Sequence, residues 1–406
     1  MTKALDHLKV LDMSRVLAGP FLAQNLADFG AEVIKVERPH HGDESRTFPP
    51  YVKDTAGNDT TDSAYFMSIN RGKRSITIDI ATPRGQALIK QLAARADVLI
   101  ENYKVGDLKR YGLDYAAIRA INPRIVYCSI TGFGQSGPYR NRPGYDYIFQ
   151  AMSGLMSLTG GPDELPGGGP AKVGLAICDV MTGIYSSFAV MTALAERDKS
   201  GTGQHIDMSL LDTTIAAISH INMNYLVGGI IPKRMGTGHP SIVPYQMFQA
   251  KDGPMVVAVG NDGQFAKLCG ALGCAQWPKD PRFLTNPLRV TNRDVLIPML
   301  EAAFAQKTAN EWISSLTQLG VPCGPLNNIQ QVFDDPHVQS RGVQVAIPHS
   351  RAGSVPALAN PARLAKTPPQ YERPAPLLGE HTREILSGVL GLSEAEIDQL
   401  AADKII

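Results

Sequence analysis

Through the first half of the chain, short apolar runs alternate with amphipathic stretches. Leu8–Met13 (LKVLDM) has the pattern of a strand, Ala18–Phe29 carries apolar residues at helical spacing, Gly30 closes it, and Ala31–Glu37 (AEVIKVE) is a second strand. Strand, helix and strand in immediate succession predict a βαβ unit, and hence a parallel sheet. The pattern recurs with a strand at Ser75–Ile80, a helix at Pro83–Ala96 opened by Thr82 and Pro83, and strands at Asp97–Glu101 and Arg124–Ile130. The fold class predicted is α/β, with a Rossmann-like, doubly wound large domain.

Near Tyr225 the pattern changes. Gly228-Gly229, Pro232, the run Gly236–Pro240 and Lys251-Asp252-Gly253 break the chain into short β-like pieces such as Pro254–Gly260. Helical stretches follow around Gln264–Leu272 and Arg293–Leu319. A smaller α+β domain is expected over residues 225–330, after a first part of the large domain at 1–205. A return segment, 335–406, ends in helices at Thr382–Val389 and Ser393–Ala402 and is expected to complete the large domain.

Charge narrows the function classes. The 406 residues carry a net charge of +1, so no long-range field recruits nucleic acid or an anionic membrane. The five cysteines form no C-x-x-C pair, which favours a reducing compartment. The opening residues have no apolar signal core, and a cytoplasmic location is expected. Val173–Ala195 has membrane-span length, but its Gly, Ser and Thr content and its central acid predict a buried core helix.

That acid, Asp179, is the only charged residue in the run. Desolvating a carboxylate is costly unless something compensates it. A capping or hydrogen-bonded structural Asp is the ordinary explanation, and catalysis is the alternative.

The other motifs were weighed for the chemistry they could support. Gly132-x-Gly134-x-x-Gly137 fits the dinucleotide fingerprint, but Pro138 to Pro143 follow it where a pyrophosphate-binding helix must open, so NAD is not supported. His40-His41-Gly42-Asp43-Glu44 has metal-ligand types but reads as a solvated turn, and no metal is expected. Arg38 after the second strand, Asn70-Arg71-Gly72-Lys73-Arg74 before the third, and Asn102-Tyr103-Lys104 with Arg110 after the fourth put cations and one aromatic at strand ends. Together these suit a phosphorylated nucleotide with an adenine to stack. Gly-rich runs at Gly160-Gly161, Gly167–Gly169 and Gly236-Thr237-Gly238-His239 are able to close over a site and offer amides to an oxyanion, although ordinary turn chemistry also accounts for them.

The sequence resembles the class III coenzyme A-transferases, the family of formyl-CoA transferase and the carnitine CoA-transferases. The resemblance spans nearly the whole chain. It rests on Val10-Leu11-Asp12 with Ala18-Gly19-Pro20, Ala31–Glu37, Asn70–Ser75, Gly132–Pro138, Pro143–Asp146, Gly203–Asp207 and Gly379–Thr382. It implies that Asp179 is the nucleophile. It also implies that Val16, Leu17, Arg38, Asn70, Lys73, Arg74, Asn102, Tyr103, Lys104, Arg110, Tyr145 and Asp146 lie along bound CoA, and that Gly236, Gly238 and His239 form a substrate loop. CoA enters as substrate, with no permanent cofactor, beside a small carboxylic acid; two chains form an interlinked homodimer.

A carboxylate nucleophile with an ordinary pKa near ~3.9 is ionised at neutral pH without help. Epimerases of the superfamily carry Gly-His-Asp where this chain has Gly144-Tyr145-Asp146, and Tyr is a poor base at neutral pH. The expected reaction is therefore CoA transfer from an acyl-CoA to a free acid, through anhydride and thioester intermediates on Asp179. The Gly236–Pro240 loop suggests dicarboxylic acids such as succinate. A 2-methylacyl-CoA racemase and an inactive CoA-binding protein are the alternatives.

Overall fold

The computed structural model describes residues 3–406. Six strands form a parallel sheet: β1 (Lys9–Asp12), β2 (Glu32–Glu37), β3 (Lys73–Thr77), β4 (Val98–Glu101), β5 (Val126–Thr131) and β6 (His205–Ser209). Across the sheet they run β3-β2-β1-β4-β5-β6, the doubly wound nucleotide-binding order, with the direction of progress reversing between β1 and β4. The strands read as near-continuous apolar runs because both faces are covered. Leu11, Ile34, Leu99 and Tyr127 face one core. Val10, Val33, Val98, Val126 and Cys128 face the other.

Six helices matter for the site: α1 (Ala18–Asp28), α2 (Ala64–Asn70), α3 (Pro83–Ala93), α4 (Tyr115–Ile121), α5 (Asp146–Met152) and α6 (Ile177–Ser200). Local chemistry starts several of them. Ser63 caps α2, and Thr82 caps α3 with Pro83 at its first position. Helices α1, α5 and α6 cover one face. Helices α3 and α4, with the C-terminal helices Thr382–Gly388 and Glu394–Ala402, cover the other.

The chain divides into two compact units. The larger holds residues up to Leu155, Val173–Gly229 and Gln339–Ile406; the smaller holds Met156–Lys172 and Ile230–Val338. Membership of 156–172 in the smaller unit is not legible in local pattern, because long-range contacts create it. The Gly236 amide donates to the Gly160 carbonyl at 3.1 Å, and the Arg234 guanidinium reaches the Ser157 carbonyl at 3.1 Å and the Asp163 carboxylate. The smaller unit contains the antiparallel strands Tyr245–Gln249, Pro254–Ala258 and Cys323–Pro325. The stretch expected at Arg293–Leu319 is two helices, Arg293–Phe304 and Ala309–Gln318, since Thr308 and Glu311 form a capping box that starts the second.

Two expectations are corrected. The strand expected at Ser75–Ile80 lies earlier, at Lys73–Thr77, which draws Lys73 and Arg74 into the sheet. Among the described residues, α6 is the one helix long and apolar enough to cross a membrane. It is not the fully buried helix expected: Cys178, Gly183, Ser186 and Val190 face inward, while Phe188 on the far side is 72% exposed.

Candidate active site

Asp179 stands in the first turn of α6. Ala176, at the N-cap position, offers no side-chain acceptor. Asp146, the first residue of α5, takes that role: its Oδ1 accepts the amide N–H of Cys178 at 2.7 Å and of Asp179 at 3.2 Å. Gln150 braces this remote cap. Its Nε2 donates to Asp146 Oδ2 at 2.6 Å and to the Leu175 carbonyl at 3.1 Å, while its Oε1 accepts from the Val173 amide at 2.8 Å. Pro143-Gly144 leads into α5, and a Cβ on Gly132 or Gly144 would meet the Phe149 ring at 2.4 Å. These two glycines therefore make room for an aromatic anchor, which accounts for them without a dinucleotide.

A helix N-terminus ordinarily acidifies a carboxylate in its first turn. Here Asp146 occupies the amides and adds a like charge. The Asp179 carboxyl is pushed up to about 7, by burial first and by Asp146 second. The expectation of full ionisation is thus corrected to about half near neutrality. Next to it, burial pushes the Cys178 thiol up to about 12, so the thiol stays protonated and the carboxylate is the better nucleophile of the pair.

Helix α6 packs along α1. A Cβ on Gly183 would stand 2.9 Å from the Ala18 carbonyl, and Asn25 Nδ2 donates to Ser187 Oγ at 3.3 Å. Asp179 stands one turn before Gly183 on α6, and Tyr65 feels the charge of both Asp179 and Asp43, the acid that holds the Val16 amide. Helix α1 has no side-chain cap, and the amides of Leu17, Ala18 and Gly19 have no protein partner among the described residues.

The entry to α1 is strained and braced. Val16 adopts φ 68°, a left-handed conformation that a β-branched residue rarely takes. Its amide donates to Asp43 Oδ1 at 3.1 Å. Asp43, expected in a solvated loop, is instead buried and ion-paired with buried Lys35 at 2.9 Å. Burial raises the Asp43 carboxyl, but Lys35 and the Ser45 amide more than offset it and hold it well below the usual range. Asn102 fixes the same loop from β4, accepting from the Arg15 amide at 2.9 Å and donating to the Arg15 carbonyl at 2.7 Å.

Beyond the carboxyl ends of β2, β3 and β4 opens a cavity of about 670 Å³, lined among others by Arg15, Arg38, Tyr103, Arg110 and the stretch Ile78–Ala81. This is where open α/β sheets bind their ligands. Arg15 stands over the Tyr103 ring, 5.3 Å from its centroid. Arg110 stacks on Tyr111 at 4.7 Å. The structure thus brings Arg38, Tyr103 and Arg110 together, with Val16 and Asn102 in the adjoining wall.

Leu17, Asn70, Lys73, Arg74, Lys104 and Tyr145, also expected along CoA, do not line this cavity. Lys73 is wholly buried and donates to Asp12 at 2.8 Å, the Pro20 carbonyl at 2.9 Å and Asn70 at 2.7 Å, which occupies all three of its donors. Asn70, also buried, completes this with a bond to the Phe66 carbonyl. Arg74 begins β3, at the amino edge of the sheet, where Glu32 and Glu384 pair with it. A cation before a parallel strand and cations after its neighbours lie at opposite edges, so the Asn70–Arg74 motif and Arg38 do not share a cavity. Leu17 is buried at the α1 entry, Lys104 is exposed outside the cavity, and the Tyr145 side chain is 80% exposed.

Three functional candidates escaped the sequence reading. Asp43 is masked by its polar neighbours, Arg15 follows β1 without a motif, and Tyr65 is an aromatic in the first turn of α2. The Tyr65 phenol is pushed up to about 12, by burial first and then by the charges of Asp179, Asp146 and Asp43. It therefore lies in the field of both Asp179 and the cavity wall. The expected substrate loop belongs to the smaller unit. Arg293 Nη2 donates to the His239 and Pro240 carbonyls at 3.0 Å each, and the Ser241 amide donates to His239 Nδ1 at 3.1 Å. Among the described residues, no group of three or more His, Cys, Asp or Glu side chains is arranged to hold a metal ion.

Comparison with known proteins places this geometry. Residues 5–382 match the sequence profile of CoA-transferase family III. The chain is 45% identical over 383 residues to the succinate–glutarate CoA-transferase of Agrobacterium fabrum, covering 94% of this chain and 95% of that protein. It is 44% identical over 405 residues to the human succinyl-CoA:glutarate CoA-transferase, covering 100% of this chain and 90% of the human protein. Among solved structures, a CAIB/BAIF family protein from Brucella suis superposes with a TM-score of 0.84 at 45% identity, over 96% of this chain and 100% of that one.

Proposed function

The chain belongs to CoA-transferase family III and is an enzyme that transfers CoA between acids, and on that premise we propose that Asp179 carries the transfer as a covalent nucleophile, with dicarboxylic acids such as succinate and glutarate as its acids. The names of the relatives support the choice of acids. The observation that supports the nucleophile best is a partly buried acid, Asp179, in the first turn of the helix that packs along α1, whose own first amides are uncapped. It stands in the same unit as a cavity lined among others by Arg15, Arg38, Arg110 and Tyr103.

CoA lies with its adenine against Tyr103 and its phosphates among Arg15, Arg38 and Arg110. Bidentate, charge-assisted contacts to phosphate suit arginine. The thioester carbonyl reaches Asp179, with its oxygen toward the amides of Leu17 and Ala18, which stabilise the developing oxyanion. An Asp179 oxygen forms a bond to the carbonyl carbon, the C–S bond breaks, and the electron pair leaves as CoA thiolate. The thiolate, held by the nucleotide contacts, attacks the aspartyl carbonyl of the anhydride and expels the donor acid. The acceptor carboxylate attacks the carbonyl of the resulting aspartyl-CoA thioester, whose C–S bond breaks to leave a second mixed anhydride and the CoA thiolate. The thiolate then attacks the acceptor's carbonyl, releasing the new thioester and free Asp179.

The second copy of the expected homodimer covers the exposed apolar face of α6, where Ile184, Tyr185, Phe188 and Met191 have no cover within the chain. The five free cysteines fit a reducing compartment and a cytoplasmic location. The test is a panel of acyl-CoA donors and dicarboxylic acceptors, run with Asp179→Ala as control. Transfer at the parent rate by that variant refutes the nucleophile. A trapped Asp179 adduct with the mass of CoA thioester supports it.

A further inference from the structure

Glu101 is a buried acid that the proposed reaction does not use. It ends β4 with 5% of its surface exposed, directly before Asn102 and Tyr103. Its Oε2 accepts the Tyr103 amide at 2.8 Å. Its register partner on β5 is Ser129, whose hydroxyl lies 2.9 Å from His205 Nε2 at the start of β6. The His205 ring stacks on Tyr115 of α4 with centroids 4.9 Å apart. Glu101 thus ends its strand buried, with the Tyr103 amide as its hydrogen-bond donor and no ion-pair partner among the described residues.

Burial pushes the Glu101 carboxyl up to about 7, with the Ser129 hydroxyl and the Tyr103 amide pulling the other way, and no cation figures among the forces on it. Around it, Tyr103, Tyr127 and Cys128 feel its charge; Asp207 on β6 acts on His205 and Cys128; Arg15, Lys35 and Glu44 act on Tyr103. Burial holds His205 below its usual range.

We propose that Glu101 is a positioning residue for CoA: its carboxylate, accepting from the Tyr103 amide, fixes the Asn102-Tyr103 main chain in the CoA-binding arrangement, and its protonation weakens that hold, so that CoA binds more weakly in mild acid. Two effects oppose each other. Losing the Glu101 charge relieves repulsion of the ligand's phosphates, but Arg15, Arg38 and Arg110 already screen these. The Tyr103 amide meanwhile trades a charged acceptor for a weaker neutral one, and Asn102 passes the change to the Arg15-Val16 loop. The short-range loss dominates.

The proposal rests on the CoA reading of the cavity, and the test separates the two. Free CoA is titrated calorimetrically into Asp179→Ala protein at about pH 6 and about pH 8, with and without Glu101→Gln. The phosphates of CoA titrate equally against both proteins, so the difference isolates Glu101. Between these pH values the parent should lose about threefold to tenfold more affinity than Glu101→Gln, the equivalent of roughly half to one pKa unit of coupling. Identical pH dependence with and without Glu101→Gln overturns the inference, as does tighter binding in acid that Glu101→Gln abolishes. Arg38→Ala on the same background checks the reading beneath. Unchanged affinity there refutes the cavity as the CoA site and the inference with it. A loss of about tenfold there, with Glu101→Gln indistinguishable from its parent, overturns only the role of Glu101.

Discussion

At the scale of single residues, the chemistry turns on two acids that sequence separates and folding joins. Asp179 must be ionised to attack, and its carboxyl is raised to about 7 by burial and then by Asp146. Transfer measured as kcat/KM for acyl-CoA should therefore fall as pH drops through about 7, and not near the ordinary Asp value. Asp146→Asn keeps the acceptor for the α6 amides but removes the repelling charge, so the midpoint of that profile should move to lower pH. A midpoint left in place would show that burial alone sets it. The linkage has a second consequence. A carboxyl raised in the folded state destabilises the fold as pH rises above the unfolded value near ~3.9. Asp179→Asn should thus raise Tm at about pH 8 and leave it nearly unchanged at about pH 4, readable by calorimetry. Asp179 was legible in the sequence because a lone charge interrupts a long apolar run. Tyr65 and Asp43 were not, since their roles depend on neighbours distant in sequence.

At the scale of elements, strand and helix boundaries were largely readable, and strand direction was the harder lesson. Local pattern located β3 within three residues, yet that shift decides whether Lys73 and Arg74 belong to the sheet or to a loop at its ligand edge. Lys73 in consequence ties α1, α2 and β1 together from inside the fold. The α1–α6 contact makes a sharper prediction. Gly183→Ala sets a methyl 2.9 Å from the Ala18 carbonyl, a backbone atom that cannot swing aside. Overpacking of this kind costs about 1–3 kcal/mol. Because the displaced segment carries the amides proposed to hold the oxyanion, kcat should fall more than KM rises; equal losses in both would place the amides outside the reaction. Val16 tests the same loop from the other side. Val16→Gly removes a left-handed strain of about 1–3 kcal/mol while freeing the chain, so Tm should hold or rise as kcat falls.

At the scale of the whole molecule, near-zero net charge hides strong local fields. Lys35–Asp43 and Lys73–Asp12 are ion pairs with essentially no exposed surface. Breaking one partner of such a pair typically costs about 3–5 kcal/mol, so Asp43→Ala should destabilise the fold by that order, as read by denaturant unfolding. The apolar outer face of α6 belongs to this scale too. Phe188→Glu should convert the proposed dimer to monomer in sedimentation while the monomer keeps its secondary structure. A variant that stays dimeric moves the interface elsewhere. The division into units was only partly legible: a domain insertion near Tyr225 shows in composition, whereas residues 156–172 join the smaller unit through contacts that no local pattern announces.

The remote cap on α6 also bears on the direction of the proposed cycle. In the mixed anhydride, the thiolate chooses between two carbonyls, and each choice expels a different carboxylate. Attack on the substrate carbonyl expels Asp179, whose conjugate acid sits at about 7. Attack on the aspartyl carbonyl expels the substrate acid, an ordinary carboxylate near ~4 and the better leaving group by a wide margin. By keeping Asp179 basic, burial first and Asp146 second bias that partition in the proposed cycle: the donor acid departs, and CoA stays on the enzyme for the next acid to collect.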